Sequence, residues 1–358
     1  MFDFLYELYW RYYCSLSSLS GLELLPDELL VKILSYESVS DLFYGWLNLN
    51  WRFNAIVHSI RIKEFYTVPK QWHSCKNSNS IVESLRYFAS QVVFLHVDES
   101  IPLDVVKEIN IVNCSHLRIL KLCETTASQL DVIQAYNFPY LEHLSLVQAT
   151  ISFEVLCQFK SLRSCELNSL EIDAKHSHLS SSIQSLALRW CHPWDMAILL
   201  RHFPQMIFFK VFIFLSNSSV HHPIVNCVHP NMISLDIHFF DLDSSMNEVD
   251  NSKYGYISEL LASISTVKRI RYCVTLVDMV NFNYEQFQCA VLKLNFVRFS
   301  CRLMWLHRFQ PVPNIDCIRQ IPLFNKLKLE HIGSKATLFR SIWTDTSILS
   351  YYNQNILI

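Results

Sequence analysis

A repeated apolar pattern between residues 92 and 237 constrains the fold of this chain more than any other feature of its sequence. The pattern is apolar-x-x-apolar-x-apolar, and its seven copies begin at Val92, Leu117, Leu141, Leu162, Ile183, Met206 and Met232. Successive copies start 25, 24, 21, 21, 23 and 26 residues apart. In a strand the last two apolar positions point to the same side, where they can stack on the next copy. A period of roughly 20 to 29 residues is typical of stacked repeats, so the sequence predicts one short strand in each copy.

Prolines mark the boundaries of several copies. Each stands two residues before a predicted strand segment: Pro139 before Leu141, Pro204 before Met206, Pro230 before Met232 and Pro322 before Phe324. Because proline ends a helix and favours extended backbone in the residue before it, this spacing predicts a helix followed by a strand. Residues 194–203 and 257–264 have the composition of such helices. Further strand segments, less regularly spaced, are predicted to begin at Val267, Cys289 and Phe324.

The segment 22–43, LELLPDELLVKILSYESVSDLF, predicts a short helix ahead of the repeats. Pro26 suits a first helical position, and Asp27 and Glu28 place negative charge at the positive end of the helix dipole. The apolar residues of this helix are Leu25, Leu29, Leu30, Ile33 and Leu34. On a helical wheel they cover an arc of roughly 180°, about twice the width that one packing partner needs, so two partners are predicted.

Two more helices are predicted after the first. Ser38 and Asp41 have the spacing of a capping box, so a second helix should start near residue 39. A third is predicted from Trp51 to Ile60. Three such helices make a domain of about 40 residues, near the lower limit for folding without disulfides, metal or a partner.

This order of residues resembles the F-box, the adaptor-binding module of cullin-RING ubiquitin ligases. The resemblance rests on Leu25-Pro26-Asp27-Glu28-Leu29-Leu30, Ile33-Leu34-Ser35-Tyr36, Ser38, Asp41-Leu42 and Arg52-Phe53. It implies that the helices dock on a Skp-type adaptor, which supplies the second apolar partner and links the chain to a cullin. The residues it implies as adaptor contacts are Leu25, Pro26, Leu29, Leu30, Ile33, Leu42 and Phe53. The alternative is an ordinary helical hairpin within a larger core.

The chain departs from that family at Glu37, where a leucine is usual, and at Phe53, where a tryptophan is common. If the first helix continued, Glu37 would lie inside the apolar arc, where a carboxylate without a partner suffers a desolvation penalty. We therefore predict that the helix ends at about Tyr36 and that Glu37 turns to solvent. The alternative is a pair between Glu37 and a cation such as Lys32 or Arg52.

The repeated region resembles leucine-rich repeats in a degenerate form. The position that carries an ordering Asn or Cys in that family holds Thr125, Ala149, Leu170, Cys191, Phe214 and Phe240, of which only the cysteine matches. The resemblance implies a target-binding face formed by the strand residues that alternate with the buried pair. We call these residues the target strip: His143, Glu166, Arg189, Phe208, Lys210, Phe212, Asp236 and His238. Their mixed aromatic and charged character suits a protein partner. The alternative is an α/β domain with coincidental apolar strings.

Composition argues against several other functions. A net charge of −2 gives no electrostatic footprint for nucleic acid or for an anionic membrane surface, so neither is predicted as a partner. The apolar run 206–215 is shorter than the roughly 20 residues that cross a bilayer. The 12 cysteines include no C-x-x-C, and no Cys or His pair has a second pair at ligand spacing, so no metal site, disulfide framework or cofactor is predicted. The sequence also lacks a Gly-rich phosphate loop and the common hydrolase motifs, so no catalytic residue is nominated.

The predicted fold class is α+β, with a small three-helix F-box followed by an irregular α/β leucine-rich-repeat-like solenoid. Its predicted parts are a lead-in (1–20), the F-box (21–66), a linker or cap (67–88) and the repeat-like substrate-binding domain (89–358). The expected function is that of a cytoplasmic or nuclear substrate-recognition subunit of a Skp-cullin-F-box ubiquitin ligase, which is not itself an enzyme. The alternatives are a non-catalytic repeat scaffold without a ligase role, or an enzyme whose site the sequence does not reveal.

Overall fold

A computed structural model describes the chain in several segments, and it confirms a mixed helix and strand architecture. The described residues are 20–37, 39–60, 65–67, 79–98, 107, 109–172, 181–215, 229–241, 264, 267–276, 285, 298–306, 315–321, 327–332 and 336–341. The chain divides into two compact units, Met1–Leu141 and Glu142–Ile358. Within the described segments, no helix combines the length and the apolar character needed to cross a bilayer.

The first unit consists mainly of short helices and three short strands. Its described α-helices are α1 (Ser20–Glu23), α2 (Asp27–Leu34), α3 (Val39–Asp41), α4 (Trp51–Ser59), α5 (Asn79–Phe88) and α6 (Ala127–Val132). A π-helix over Leu42–Trp46 follows α3 directly, and we call residues 20–60 the helical module. The described strands are β1 (Phe65–Thr67), β2 (Phe94–Val97) and β3 (Ile119–Leu122). β2 pairs in parallel with both β1 and β3.

The starts of α2 and α4 follow from local chemistry. Pro26 lies one position earlier than predicted, at the N-cap, and its carbonyl accepts the N–H groups of Leu29 and Leu30 at 3.1 Å. Because the missing N–H of proline would have had no helical partner here, the ring adds no unsatisfied donor. At α4, Asn50 Oδ1 accepts the N–H of Phe53 at 2.9 Å, which is the usual N-cap bond.

The second and third predicted helices are present. The second begins at Val39 as expected, although it changes after one turn into the π-helix. Ser38, one half of the predicted capping box, lies outside the described residues. The third is α4, which ends one residue before the predicted Ile60. Between them Asn48 has a φ of 64°, a left-handed conformation that Asn tolerates better than most residues.

The end of α2 differs from the prediction. The helix stops at Leu34, two residues earlier than expected, and the Glu37 N–H donates to the Leu34 carbonyl in the turn that follows. Glu37 lies beyond the helix as predicted, but it is half-buried and so turns only partly to solvent. Burial first, and the charge of Asp41 second, raise the pKa of Glu37. Arg52, one of the two cations considered as its partner, bonds Asp27 instead.

Part of the segment predicted as a linker or cap forms α5, which caps the helical module. The buried side chains of α5 are Val82, Ser84, Leu85 and Phe88. The Phe88 ring lies 6.2 Å from the ring of Phe43 in the π-helix. Tyr87 Oη lies 2.7 Å from Nε2 of His58 in α4. The helix therefore belongs to the same packed body as the helical module.

The second unit contains a sheet whose parallel strands follow one another in chain order. Its described strands are β4 (His143–Ser152), β5 (Ser164–Glu171), β6 (Ser185–Cys191), β7 (Phe208–Leu215), β8 (Ser234–Asp241), β9 (Arg269–Leu276), β10 (Arg298–Leu306), β11 (Leu327–Ile332) and β12 (Ala336–Ser341). Its described helices are α7 (Phe153–Gln158), α8 (Pro193–His202) and α9 (Ile315–Arg319). From β4 to β10 each strand pairs in parallel with the next, and β12 pairs antiparallel with β10 and β11.

The strand predicted in each copy of the apolar pattern is present. Each described strand from β2 to β8 begins two residues after the start of its copy, and β9 keeps the same offset from Val267. The helix predicted over 194–203 is α8, shifted by one residue. The strand starts at Cys289 and Phe324 and most of the helix 257–264 fall outside the described residues. The antiparallel strand β12 was not predicted.

One row of apolar side chains fixes the register of the parallel strands in the second unit. In register across β4 to β8 the row reads Leu146, Leu167, Leu188, Val211 and Ile237. All of these side chains are buried. Full burial of one such side chain stabilises a fold by roughly 1.5 to 3 kcal/mol, and a slip of one residue would turn the row to the other face. The residues that alternate with this row therefore share the opposite face of the sheet.

Candidate protein-binding surfaces

Helix α2 carries two apolar stripes, one buried and one accessible. Leu30 and Leu34 are four residues apart, and both are 0% exposed. Leu29 and Ile33 have the same spacing on the neighbouring stripe, where Leu29 is 48% exposed and Ile33 is half-buried. Within the described residues, the oversized apolar arc predicted from the sequence is thus covered on one side and open on the other.

The seven residues nominated as adaptor contacts separate into two groups. The buried group is Leu30, Leu42 and Phe53. The accessible group, half-buried or exposed, is Leu25, Pro26, Leu29 and Ile33. The expectation that all seven offer a contact surface is therefore wrong for the buried group. Those side chains are the interior that holds the helices of the module together, and a partner can reach only the accessible group.

Arg52 fixes the backbone in front of α2. Its Nε donates a hydrogen bond to Asp27 Oδ1 at 2.8 Å, and its guanidinium also donates to the backbone carbonyls of Glu23 and Leu25. Asn50 Nδ2 donates to Glu23 Oε1 at 2.6 Å. The side chains of Asn50 and Arg52 at the start of α4 therefore hold the segment that precedes α2. This segment includes Leu25, which belongs to the accessible group.

Further large apolar side chains are exposed in the helical module. They are Leu24, Tyr36, Tyr44, Leu49 and Trp51. Leu24 is 83% exposed and lies between the two carbonyls that Arg52 binds, while Trp51, 82% exposed, precedes Arg52 in the chain. Neither residue belongs to the periodic stripe of α2, so helical periodicity does not indicate them as contacts. Their exposure enlarges the apolar surface at the end of the module where α2 begins.

The sheet of the second unit brings the target strip onto one face. One row in register across neighbouring strands reads Glu166, Ala187, Lys210, Asp236 and Arg271. On the same face, His143 and Phe208 lie in the row two positions earlier along the strands. Phe212 pairs with His238 in the row two positions later. Arg189 lies where the register of β6 shifts. The alternation rule thus predicted the face correctly for the seven strip residues outside this shift.

The exposure of the strip differs from the prediction at one end. His143 and Glu166 are exposed, and Arg189, Phe208 and Lys210 are half-buried. Phe212, Asp236 and His238 are buried. The expectation that these last three face solvent is wrong, because alternation tells which face a side chain is on and not what covers that face. The surface open to a target is the remainder of the strip.

The buried end of the strip is a cluster of charged and aromatic groups. His238 Nε2 lies 3.1 Å from Asp236 Oδ1, and Arg271 Nη1 donates to Asp236 Oδ2 at 3.3 Å. The Phe212 ring stacks on the His238 ring with centroids 4.3 Å apart. A buried carboxylate held between two cationic groups avoids the penalty of an uncompensated charge.

The cluster changes the pKa values of its members. Burial acts to lower the pKa of His238, but the interactions with Cys273 and Asp236 outweigh it and raise this pKa to about 9. Burial acts to raise the pKa of Asp236, yet the hydrogen bond and charge of His238 and the charge of Arg271 bring it below its usual value. At neutral pH the cluster is therefore an imidazolium, a carboxylate and a guanidinium. Arg271 and Cys273 were not nominated, although they continue the same alternation into β9.

Several buried or half-buried cysteines have thiols that are poor nucleophiles. Burial raises the pKa of Cys114 to about 12 and that of Cys157 to about 11. Burial also raises the pKa of Cys165 and Cys191. Since the thiolate is the reactive form, these four side chains stay unreactive at neutral pH.

One set of potential metal ligands is brought together in the first unit. It consists of His96, Asp98 and Cys123. Its members come from two successive strands, so the spacing of Cys and His pairs close in the chain does not indicate it. Of the residues in such close pairs, His176, His178, His221, His222 and Cys227 lie outside the described residues.

Comparisons with known proteins do not assign the chain to a family. Neither models of protein families nor curated proteins give a match to this sequence.

Proposed function

We propose that the chain is the substrate-recognition subunit of a Skp-cullin-F-box ubiquitin ligase. The observation that carries the proposal is the accessible stripe of α2, with Leu29 and Ile33 beside the buried pair Leu30 and Leu34. An apolar helix face that remains open on a folded module is the kind of surface that a protein partner covers. The resemblance of the module to the F-box makes a Skp-type adaptor the partner of choice.

The bonds of Arg52 support the same role. Because they hold the carbonyls of Glu23 and Leu25 before any partner arrives, the segment that enters α2 loses little conformational freedom on binding. Exposed Leu24 and Trp51 at the same end add apolar area that an adaptor could bury. A preorganised apolar surface with a large aromatic residue is a favourable docking site.

In this proposal the second unit binds the protein target. The accessible part of the target strip offers charged, aromatic and imidazole groups side by side: His143, Glu166, Arg189, Phe208 and Lys210. Such a mixture suits a protein surface. The mechanism is proximity: the adaptor links the chain to a cullin, and target lysines are brought near a ubiquitin-charged conjugating enzyme on another subunit. No residue of this chain takes part in bond making.

Binding of the full-length chain to a purified Skp-type adaptor tests the proposal. Leu25→Ala with Pro26→Ala should abolish the pull-down and leave the circular dichroism spectrum unchanged, since both residues belong to the accessible group. Ile207→Ala, which also truncates an exposed apolar residue but in the second unit, should bind like the wild type. Absence of binding by the wild type, or full binding by the double variant, would contradict the docking surface.

Recovery of a cullin separates the ligase subunit from a repeat scaffold. A substrate receptor brings the cullin down through the adaptor, so the wild type should recover both proteins and the double variant neither. Recovery of the adaptor with no cullin would support the scaffold instead. Proximity labelling with a proteasome inhibitor present would then identify the target.

A further inference from the structure

His96, Asp98 and Cys123 converge where β2 and β3 end. The parallel register pairs Val97 with Leu122, and the N–H of Cys123 donates to the Val97 carbonyl at 3.0 Å. His96 and Asp98 are two residues apart, so they lie on the same face of β2 and its extension. Asp98 directly follows Val97, and Cys123 directly follows Leu122. Because Val97 and Leu122 are paired, the register places Asp98 and Cys123 side by side. The three side chains thus come together because the repeat spacing here is 25 residues.

The distances suit a metal ion. One ligand atom from each residue lies within 4.8 Å of the other two, and His96 Nε2 is 3.8 Å from Cys123 Sγ. In tetrahedral zinc sites with Zn–N of about 2.05 Å and Zn–S of about 2.3 Å, the nitrogen and sulfur are about 3.6 Å apart. All three side chains are half-buried, so an ion can reach them while the strands hold them in place.

We propose that His96, Asp98 and Cys123 bind a zinc ion, with water in the fourth position. A thiolate, an imidazole and a carboxylate are all zinc ligands, and the thiolate disfavours magnesium and calcium, which prefer oxygen. The ion joins the ends of two successive strands and so ties one repeat to the next. This site shares no residue with the proposed adaptor contacts or with the target strip.

The same three residue types also occur in catalytic relays, but the geometry here differs from a relay. In a relay the imidazole stands between the carboxylate and the thiol, which places the two outer atoms more than about 6 Å apart. Here the Asp98 oxygen and the Cys123 sulfur lie within 4.8 Å of each other. The three groups face one point instead of forming a line.

Cobalt titration of the full-length chain tests the site. The protein is stripped with a chelator, kept reduced with a phosphine, and titrated with Co²⁺ as a spectroscopic substitute for Zn²⁺. The wild type should bind one equivalent with the visible bands of a tetrahedral ion and a thiolate-to-cobalt charge-transfer band, and Zn²⁺ should remove both signals. Cys123→Ser should lose the charge-transfer band, and Asp98→Asn should weaken cobalt binding at least tenfold.

Two control variants separate this site from adventitious binding. Cys317→Ser removes an exposed thiol and His116→Gln an exposed imidazole elsewhere in the chain, and both should titrate like the wild type. If the charge-transfer band persists in Cys123→Ser or disappears in Cys317→Ser, the zinc site does not exist. A wild type without the band overturns it as well. Asp98→Asn preserves the shape of the side chain, so it remains informative even if Cys123→Ser fails to fold.

Discussion

Arg52 and Asp27, 25 residues apart in the chain, are joined by a hydrogen bond of 2.8 Å from Nε to Oδ1. The side chain of Asp27 is 63% exposed, so this ion pair by itself contributes little to stability. The same guanidinium also satisfies the carbonyls of Glu23 and Leu25. These charge-assisted hydrogen bonds to the backbone connect α4 with the segment that enters α2. We expect them to contribute more to stability than the exposed ion pair does.

Arg52→Leu should therefore destabilise the first unit more than Asp27→Asn does. Loss of the guanidinium should lower the free energy of unfolding by about 1 to 3 kcal/mol, the usual range for bonds to charged groups. Loss of the carboxylate charge should lower it by less than about 1 kcal/mol. Urea unfolding of the two variants and the wild type measures both effects. Equal destabilisation by the two changes would show that the exposed ion pair, and not the hydrogen bonds to the carbonyls, stabilises the contact between α4 and the segment before α2.

Substitution of the adjacent leucines in α2 should affect different properties: Leu30→Ala mainly the stability of the fold, and Leu29→Ala mainly adaptor binding. Leu30→Ala removes a fully buried side chain and should lower the free energy of unfolding by about 2 to 5 kcal/mol. Leu29→Ala should lower it by less than about 1 kcal/mol, since nearly half of the residue is already in water. Binding to the adaptor should nevertheless weaken in Leu29→Ala. Thermal melts and adaptor titrations of both variants check this, and an unaltered adaptor affinity in Leu29→Ala would count against the accessible stripe.

The strands of the repeats could be predicted from the sequence because their apolar spacing indicates which residues face the core. Alternation placed Phe212 and His238 on the correct face, yet both are buried, because burial also depends on what packs against that face. The bonds of Arg52 and the convergence of Asp98 with Cys123 depend on tertiary register. The periodicity of one helix or strand does not indicate which residues of another element it will contact, so these contacts could not be predicted.

The helix α5 illustrates a different limit. It begins at Asn79, inside the polar stretch HSCKNSNS (residues 73–80) that favoured a linker. Its short apolar stripe, including Leu85 and Phe88, is too brief to predict a helix without knowledge of the surface it covers. The early end of α2 has a related cause: a turn closed by the bond from the Glu37 N–H to the Leu34 carbonyl competes with further helix.

Glu37→Leu should stabilise the helical module. Burial and the nearby charge of Asp41 raise the pKa of Glu37, so its ionised form is disfavoured in the folded state. Because the site is only half-buried, the expected gain in the free energy of unfolding is about 1 kcal/mol, below the roughly 1.5 to 3 kcal/mol of full burial. Melting curves of Glu37→Leu and Glu37→Gln at neutral pH measure the gain, and Glu37→Gln should capture the part due to charge. A lower melting temperature for both variants would mean that the carboxylate has a favourable partner.

Charge reversal on the target strip should separate target binding from adaptor binding. Arg189→Glu alters a half-buried position on the strip and should lose bound targets while keeping the adaptor. Lys210→Glu should do the same, but it also places a carboxylate in register with Asp236 and so should lower stability. Proximity labelling gives the readout, with Arg201→Glu on α8 as an exposed control that retains targets. Loss of the adaptor in Arg189→Glu would show that the strip has a structural role.

The buried cluster around His238 should make the stability of the second unit depend on pH above neutrality. The folded pKa of His238 is about 9, whereas the pKa of an unfolded histidine is about 6.5. A raised pKa means that protonation favours the folded state. The contribution is therefore fully present below about pH 6.5, and it is lost as the pH rises through 9. The difference in pKa corresponds to about 2 to 4 kcal/mol of the free energy of unfolding.

Denaturant unfolding of the full chain from pH 6.5 to pH 9 measures this loss. His238→Gln should be less stable than the wild type at the lower end and should show a much smaller slope with pH, because it removes the group that titrates. His143→Gln changes an exposed histidine of the same strip and should keep the wild-type slope. Asp236 works in the opposite range: its lowered pKa stabilises the fold above the unfolded value and loses that effect only in acid. A wild type whose stability does not change between pH 6.5 and 9, or a His238→Gln variant that keeps the full slope, would show that the imidazolium does not stabilise the cluster.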